Sequence, residues 1–275
     1  MSTVIVGDVH WLMEYQPFVE QLKNLIDDPE ITRVIFIGDI AGTKKDSELT
    51  KAFYAPDSTL WDKDKIKYAH YGHALSCQGE EVINLVKEPY LENLKRIQKI
   101  MRQMKAKGID VVVMKGNRDR LLPWEFKNNP SQLIETPSNI TASTLSGAAD
   151  YIAEAMMINN GNQAFVLLPW PALLNPVPNW IIEGIEKTDQ KISIIAHGVP
   201  NWEVFKKEPN NEGKITTQNL TNFLRIISTA PNDIEVIHGH VHEDDYNPIN
   251  EKMLIIISER SFQCIYMGLG SMLKL

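Results

Sequence analysis

Seven residues carry carboxylate, imidazole or amide groups just where an apolar run has ended: Asp8, His10, Asp39, Asn117, His197, His240 and His242. They fall in five short motifs: Gly7-Asp8-Val9-His10, Gly38-Asp39, Gly116-Asn117-Arg118-Asp119, His197-Gly198 and Gly239-His240-Val241-His242. Such a mixed oxygen and nitrogen donor set suits manganese, iron or zinc, and thiolates are absent from it. Seven donors are too many for one ion, and a pair of divalent ions is the natural fit. Two ions about 3.5–4 Å apart can clamp the attacking and leaving oxygens of an in-line phosphoryl displacement, and a water they share becomes a nucleophile near neutral pH. Each motif alone is weak, because Gly-Asp is common in turns and a lone histidine at a strand end is more often structural. The ordered set is the signal. It takes up four of the seven histidines.

The elements that must position these residues can be read from the same rows. Thr3 to Val6, Arg33 to Ile37 and Val111 to Met114 are buried-strand runs, each followed directly by a glycine-bearing motif. Ala164 to Leu168, Ile192 to Ala196 and Ile234 to Ile237 are strand-like in the second half, and Leu254 to Ser258 with Phe262 to Met267 form a closing pair. Pro17 opens a helix with Phe18, Leu22, Leu25 and Ile26 on one face, and Asn219 to Ser228 is helical. Helical spacing also runs from Glu80 to Lys107, where Pro89 is expected to divide the helix and Gly108 to stop it. Strands alternating with helices predict an α/β fold, with mixed sheets because of the closing pair. Strand ends of such sheets deliver side chains to a shared crevice, and glycine lets the chain turn and approach a ligand there.

Two stretches break the alternation. Ala41 to Gly79 is polar and aromatic, and Arg120 to Ser146 is rich in Pro, Asn, Ser and Thr. Both follow a motif directly, so they are expected to overhang the same face and to set substrate choice. The expectation is one domain over residues 1–275 with inserts at about 41–79 and 120–146. No run of 18 apolar residues predicts a membrane span. Two cysteines, Cys77 and Cys264, are too few for a disulfide framework and suit a reducing compartment, so a cytoplasmic location is expected. The net charge of −7 argues against non-specific nucleic-acid binding, which depends on Lys and Arg neutralising phosphates.

In order and content the five motifs resemble those of the calcineurin-like metallophosphoesterases: D-x-H, G-D, G-N-H-D/E, a lone His, and G-H-x-H. The likeness spans residues 7 to 242. It implies a four-layer α/β/β/α sandwich of two mixed sheets flanked by helices, with a dinuclear centre at one edge. It further implies that Asp8, His10 and His242 hold one ion, that Asn117, His197 and His240 hold the other, and that Asp39 bridges them. The ions would be manganese foremost, with iron, zinc, nickel or magnesium as alternatives. The implied activity is hydrolysis of a phosphoester or phosphoanhydride by a hydroxide bridging the metals, on a nucleotide or another small phosphorylated molecule. A metal-dependent nuclease and a non-catalytic scaffold are the rival readings. The first would want a basic groove and the second would have lost ligands.

The third motif departs from the family pattern, with Arg118 in place of histidine. An arginine can bind phosphate and stabilise charge on a transferring phosphoryl group but cannot protonate a leaving group, since its pKa lies above about 12. An Asn-Arg-Asp motif is similar to that of the enzymes that cleave the pyrophosphate of UDP-diacylglucosamine. The second motif, which continues Ile40-Ala41-Gly42-Thr43, resembles neither theirs nor those of Ser/Thr protein phosphatases and purple acid phosphatases. Trp11 is a candidate to stack on a base or sugar, as are Trp124 and Trp202, with a core role the alternative for each. Asp119, Asp244 and Asp245 are candidates to orient the imidazoles. His70, His73 and Cys77 read as a solvated or substrate-facing helix rather than a third metal site, and His238 as packed rather than ligating.

Overall fold

The computed structural model describes residues 2–54, 75–76, 78–128, 138–161, 163–198, 221–222, 224–230, 234–239, 252–258, 262–267 and 271–274. Its centre is set by three apolar runs. Ser2–Val6 (β1), Ile31–Phe36 (β2) and Asp110–Met114 (β3) pair in parallel, Val4 opposite Val34 and Val34 opposite Val111. Asp150–Ile152 (β4) continues the sheet in parallel beyond β3. On the other side Lys252–Ser258 (β9) runs antiparallel to β1 and to Phe262–Met267 (β10). The order is β10-β9-β1-β2-β3-β4. A second sheet has Gln163–Leu168 (β6), Lys191–Ala196 (β7) and Ile234–His238 (β8) in parallel. Met156–Asn160 (β5) and Ser271–Lys274 (β11) close its two edges antiparallel.

Side chains alternate across a strand, so each apolar run feeds two cores. Ile5, Ile35, Ile37, Val112 and Met114 of the first sheet pack against Phe165, Leu167, Ile195 and Ile237 of the second. Their neighbours Val4, Val6, Val34, Phe36, Val111 and Val113 face outward, onto helices. Those helices are Gln16–Asp27 (α1), Glu80–Ala106 (α3) and Asn139–Leu145 (α5), which contribute Leu22, Leu94 and Leu145 among others. Ala164, Val166, Ile192, Ile194 and Val236 face the other way, onto Trp170–Leu174 (α6), Asn179–Lys187 (α7) and the helical residues 224–229. The protein is therefore an α/β fold in four layers, helix, sheet, sheet, helix, with three apolar cores between them. Truncating one of these buried aliphatic side chains to alanine typically costs about 2–5 kcal/mol.

Lys44–Tyr54 (α2) lies in the first predicted insert, and Pro123–Asn128 (α4) and α5 lie in the second. The expected break at Pro89 does not occur, because α3 is continuous from Glu80 to Ala106. Val86 and Tyr90 on the two sides of the proline, and Leu94 beyond it, bury in the same core. The carbonyl that loses its partner belongs to Leu85, which is 57% exposed, where water can replace the missing N–H. Gly108 ends the helix as expected, with φ of +83°. Among the described residues no helix is long and apolar enough to cross a membrane.

Candidate metal centre

The parallel strands of both sheets end at one edge of the sandwich, and the motifs follow those ends. Asp8 comes after β1, Asp39 after β2, Asn117 after β3 and His197 after β7. Asp8, Asp39 and His197 are buried, and each offers a ligand atom within 4.8 Å of the others. Asp39 lies in the middle. Its Oδ2 is 3.3 Å from His10 Nε2, and its Oδ1 is 3.7 Å from His197 Nε2. Asp8 Oδ2 is 4.0 Å from His10 Nε2, and Asn117 Oδ1 is 2.9 Å from His197 Nε2. Donor atoms about 2.1 Å from a shared ion stand roughly 3 to 4 Å apart, depending on the angle they subtend. The separations here match that range, and Asp8, Asp39 and His197 fit a site for a divalent ion.

The backbone is bent to make this cluster. Among the described residues His10 (φ +42°) and Asp39 (φ +46°) are the two non-glycine residues in the left-handed region. Such strain persists only where surrounding contacts impose it, and it concentrates at functional sites. The backbone N–H groups of Val9 and His10 both donate to the Asp39 carbonyl, which ties the first two motifs together. Gly38, at φ +120°, leaves room where a β-carbon would lie 2.6 Å from His197 Nδ1.

Hydrogen bonds fix which atoms face the cavity. His197 Nδ1 donates to the Ile37 carbonyl at 2.9 Å, which turns Nε2 toward Asn117 and Asp39. Burial lowers the His197 pKa and Lys115 acts in the same direction, against the opposing pull of Asp39 and Ile37, so the neutral form is favoured. A neutral imidazole with Nδ1–H committed presents an Nε2 lone pair to Asn117 Oδ1, itself an acceptor. A shared cation satisfies both atoms, as does a rotation of the amide. Asp39 is pulled the other way. Burial raises its pKa, but His197, His10, the Arg118 N–H and the Arg118 charge together hold it below the usual carboxylate range. An ionised carboxylate between two imidazoles is a metal-ready arrangement.

Asp119 does not orient an imidazole, as the sequence suggested. Its Oδ1 accepts from Ile40 N–H at 3.1 Å and its Oδ2 from Gly116 N–H at 2.9 Å, so it clamps the second motif to the third. The imidazole is oriented by a backbone carbonyl instead, a role sequence cannot reveal. Lys115 is fully buried beside these acids, and its only sequence signal is a lysine closing the apolar run VVVM. His238 is packed, with Nδ1 donating to the Gly239 carbonyl at 3.1 Å.

Arg118 donates its backbone N–H to Asp39 Oδ1 at 2.7 Å, and its Nη1 lies 3.5 Å from Asp46 Oδ2 on α2. It therefore sits at the site, next to a pocket that His10 and Arg118 border. Both predicted inserts reach that pocket, the first through Ala41, Gly42 and Asp46 and the second through Arg120 to Trp124. Asn93 on α3 supports its floor by donating to the Gly42 carbonyl at 2.9 Å. Trp11 is half-buried and packs against the helical core. Gly239 packs against Asp8, which brings the last motif to the cluster, whereas His240, His242, Asp244 and Asp245 lie outside the described residues. So do His70, His73, Cys77 and Trp202.

No protein-family model matches the chain, and no curated protein matches it. Seventeen solved chains do. One of them, described only as a crystal structure, aligns over 99% of this chain and 98% of its own at 12% identity, with a TM-score of 0.44. A likeness at that level bears on neither fold nor function.

Proposed function

We propose that the chain is a two-metal phosphohydrolase that cleaves a phosphoester or phosphoanhydride of a small phosphorylated molecule. The observation that carries this reading is the Asp39 carboxylate, which directs one oxygen toward His10 and the other toward His197. That is the disposition a bridging ligand needs. Asp8 and His10, with His242, would hold one ion, and Asn117 and His197, with His240, the other. Bound there, the ions would supply Lewis acidity and an activated water for in-line attack on phosphorus.

The chain's own residues do the rest. Arg118, next to the cluster and anchored through its backbone to Asp39, is placed to bind a phosphoryl oxygen and to stabilise the charge that grows on it during transfer. Asp8, Asp39 and His197 are buried, which keeps bulk water from competing for the positions they face. His197 is aimed through its bond to Ile37, and burial favours its neutral form.

The test is to load the protein with manganese, count bound ions by elemental analysis, and screen an alkyl monoester, an aryl diester, a cyclic nucleotide and a pyrophosphate. Two ions per chain and hydrolysis of at least one substrate are expected. Asp39→Asn should lower the ion count and abolish turnover. Full activity in Asp39→Asn would sink the two-metal assignment.

A further inference from the structure

The candidate metal centre is divided between the two sheets. Asp8, Asp39 and Asn117 follow strands of the first sheet, and His197 follows β7 of the second. Ligands from two sheets converge only where the sheets are tied together at that edge. One tie is the His197 Nδ1 bond to the Ile37 carbonyl. Another comes from Trp170, just beyond the end of β6, whose backbone N–H donates to the Lys115 carbonyl at 2.8 Å. Lys115 stands two residues before Asn117, so this bond joins the second sheet to the start of the third motif. Leu168, at the end of β6, accepts the His197 backbone N–H at 3.0 Å. Pro169 and Pro171 flank Trp170, and their rings fix the local φ angles and stiffen the turn.

The side chain of Trp170 reaches the same histidine. Its ring stands at 85° to the His197 imidazole, with centroids 5.8 Å apart. The indole is half-buried and also packs against the core that includes Leu173 and Ile181. On the first-sheet side the imidazole meets backbone. A β-carbon on Gly38 would lie 2.6 Å from Nδ1, and one on Gly116 would lie 2.8 Å from Cε1. A hydrogen bond through Nδ1 fixes one atom of a ring and leaves the ring free to tilt about it. Packing between the glycines and the perpendicular indole removes that freedom, and aromatic pairs favour this edge-to-face geometry. A tryptophan that merely filled the helical core would need no fixed angle to His197.

We propose that Trp170 is a positioning residue for the metal centre: its indole holds the His197 imidazole so that Nε2 stays aimed at the ion it would share with Asn117. The proposal rests on the two-metal reading and deepens it, because one ion should then depend on Trp170 more than the other. The probe is cobalt(II), titrated into metal-free protein, with calorimetry reading affinity and visible absorption reading coordination geometry. Two binding steps are expected in wild type, and His197→Ala identifies the step that uses His197. Trp170→Phe keeps an aromatic ring, whereas Trp170→Leu and Trp170→Met keep apolar bulk without one. All three keep the backbone bond to Lys115, and thermal melts of the metal-free proteins check that each is folded. Groups that orient ligating histidines are typically worth 10- to 100-fold in metal affinity, so the variants without a ring should weaken the His197 step about tenfold. Its absorption bands should shift with it, the other step should stay nearly unchanged, and Trp170→Phe should restore most of the loss. If both steps weaken equally, if neither changes, or if Trp170→Phe behaves like Trp170→Leu and Trp170→Met, the indole does not position His197 and the phosphohydrolase reading stands. If wild-type protein binds fewer than two cobalt ions, the two-metal reading and this proposal fall together.

Discussion

Gly239 packs directly against Asp8: a β-carbon on Gly239 would lie 2.2 Å from Asp8 Oδ1 and 2.9 Å from its carboxyl carbon. Gly116 stands in the same relation to Asp39, where a β-carbon would lie 2.1 Å from Oδ1 and 2.3 Å from the backbone nitrogen. These two glycines leave the space that the carboxylates occupy. Neither has a positive φ, so close approach rather than backbone freedom requires them.

Gly239→Ala and Gly116→Ala should therefore displace a ligand carboxylate. Misplacing a reacting group by about 1 Å can cost on the order of 10²-fold in rate. We expect at least a tenfold loss of manganese affinity by calorimetry and a larger loss of turnover. Gly147→Ala is the comparison, since a β-carbon there meets nothing within 4 Å although φ is +73°. It should cost some stability and no metal. Equal metal affinity in Gly116→Ala and wild type would refute the argument from space.

Asp119→Asn isolates the clamp between the second and third motifs. Both carboxylate oxygens accept backbone N–H groups, from Ile40 and Gly116, and an amide can accept only one of them while pressing a second donor against the other. A buried N–H left so costs about 1–3 kcal/mol. Each kcal/mol should lower the melting temperature by about 2–4 °C in a chain of this size. Turnover should fall as well, because Asp39 and Asn117 sit one residue from the clamped amides. An unchanged melting temperature would mean that Asp119 is not holding the two loops together.

How much of this was legible in the sequence depends on the length scale. The strands were legible because runs such as TVIV, RVIFI and VVVM are apolar on both faces, as strands covered on both sides must be. The four layers followed from the family likeness rather than from periodicity. Short edge strands such as Asp150–Ile152 and Ser271–Lys274 carry too few residues to show a pattern, and Pro89 misled because packing on both sides of it outweighed its local preference. At the site, the residues that follow the strands were legible by type and spacing. Their supports were not, since Asp119, Asn93, Tyr90 and Asp46 act across 79, 51, 51 and 72 positions. Only tertiary structure brings such pairs together.

Asp46 offers a sharper test of one such support. Its carboxylate lies 3.5 Å from Arg118 Nη1, with both side chains partly exposed, so the pair should add less than about 1 kcal/mol to stability. Its expected role is to aim the guanidinium. Asp46→Ala should leave the melting temperature nearly unchanged and lower kcat/KM several-fold. In an Arg118→Ala background the same change should do almost nothing, because residues that act through one another are not additive. An undiminished effect in that background would show that Asp46 acts on something other than Arg118.

Arg118 itself bears on the leaving group. Phosphoryl transfer passes through a loose transition state in which the leaving oxygen gathers negative charge. An alkoxide is strongly basic and gains about 10²- to 10⁴-fold from a general acid, whereas a phosphate or phenolate leaving group gains little. A guanidinium stays protonated and cannot provide that acid, but its planar donors can pair with the oxygens of a phosphoryl or pyrophosphoryl group. With Arg118 where the related motif has histidine, the chain should turn over anhydrides and aryl diesters faster than alkyl monoesters. The same reasoning predicts that Arg118→His shifts the ranking toward the alkyl ester, since an imidazolium there can donate the proton. The measurement is kcat/KM for an alkyl monoester, an aryl diester and a nucleotide anhydride, in wild type and in Arg118→His. A wild-type preference for the alkyl ester, or an unchanged ranking in the variant, would show that Arg118 does not govern the choice of leaving group.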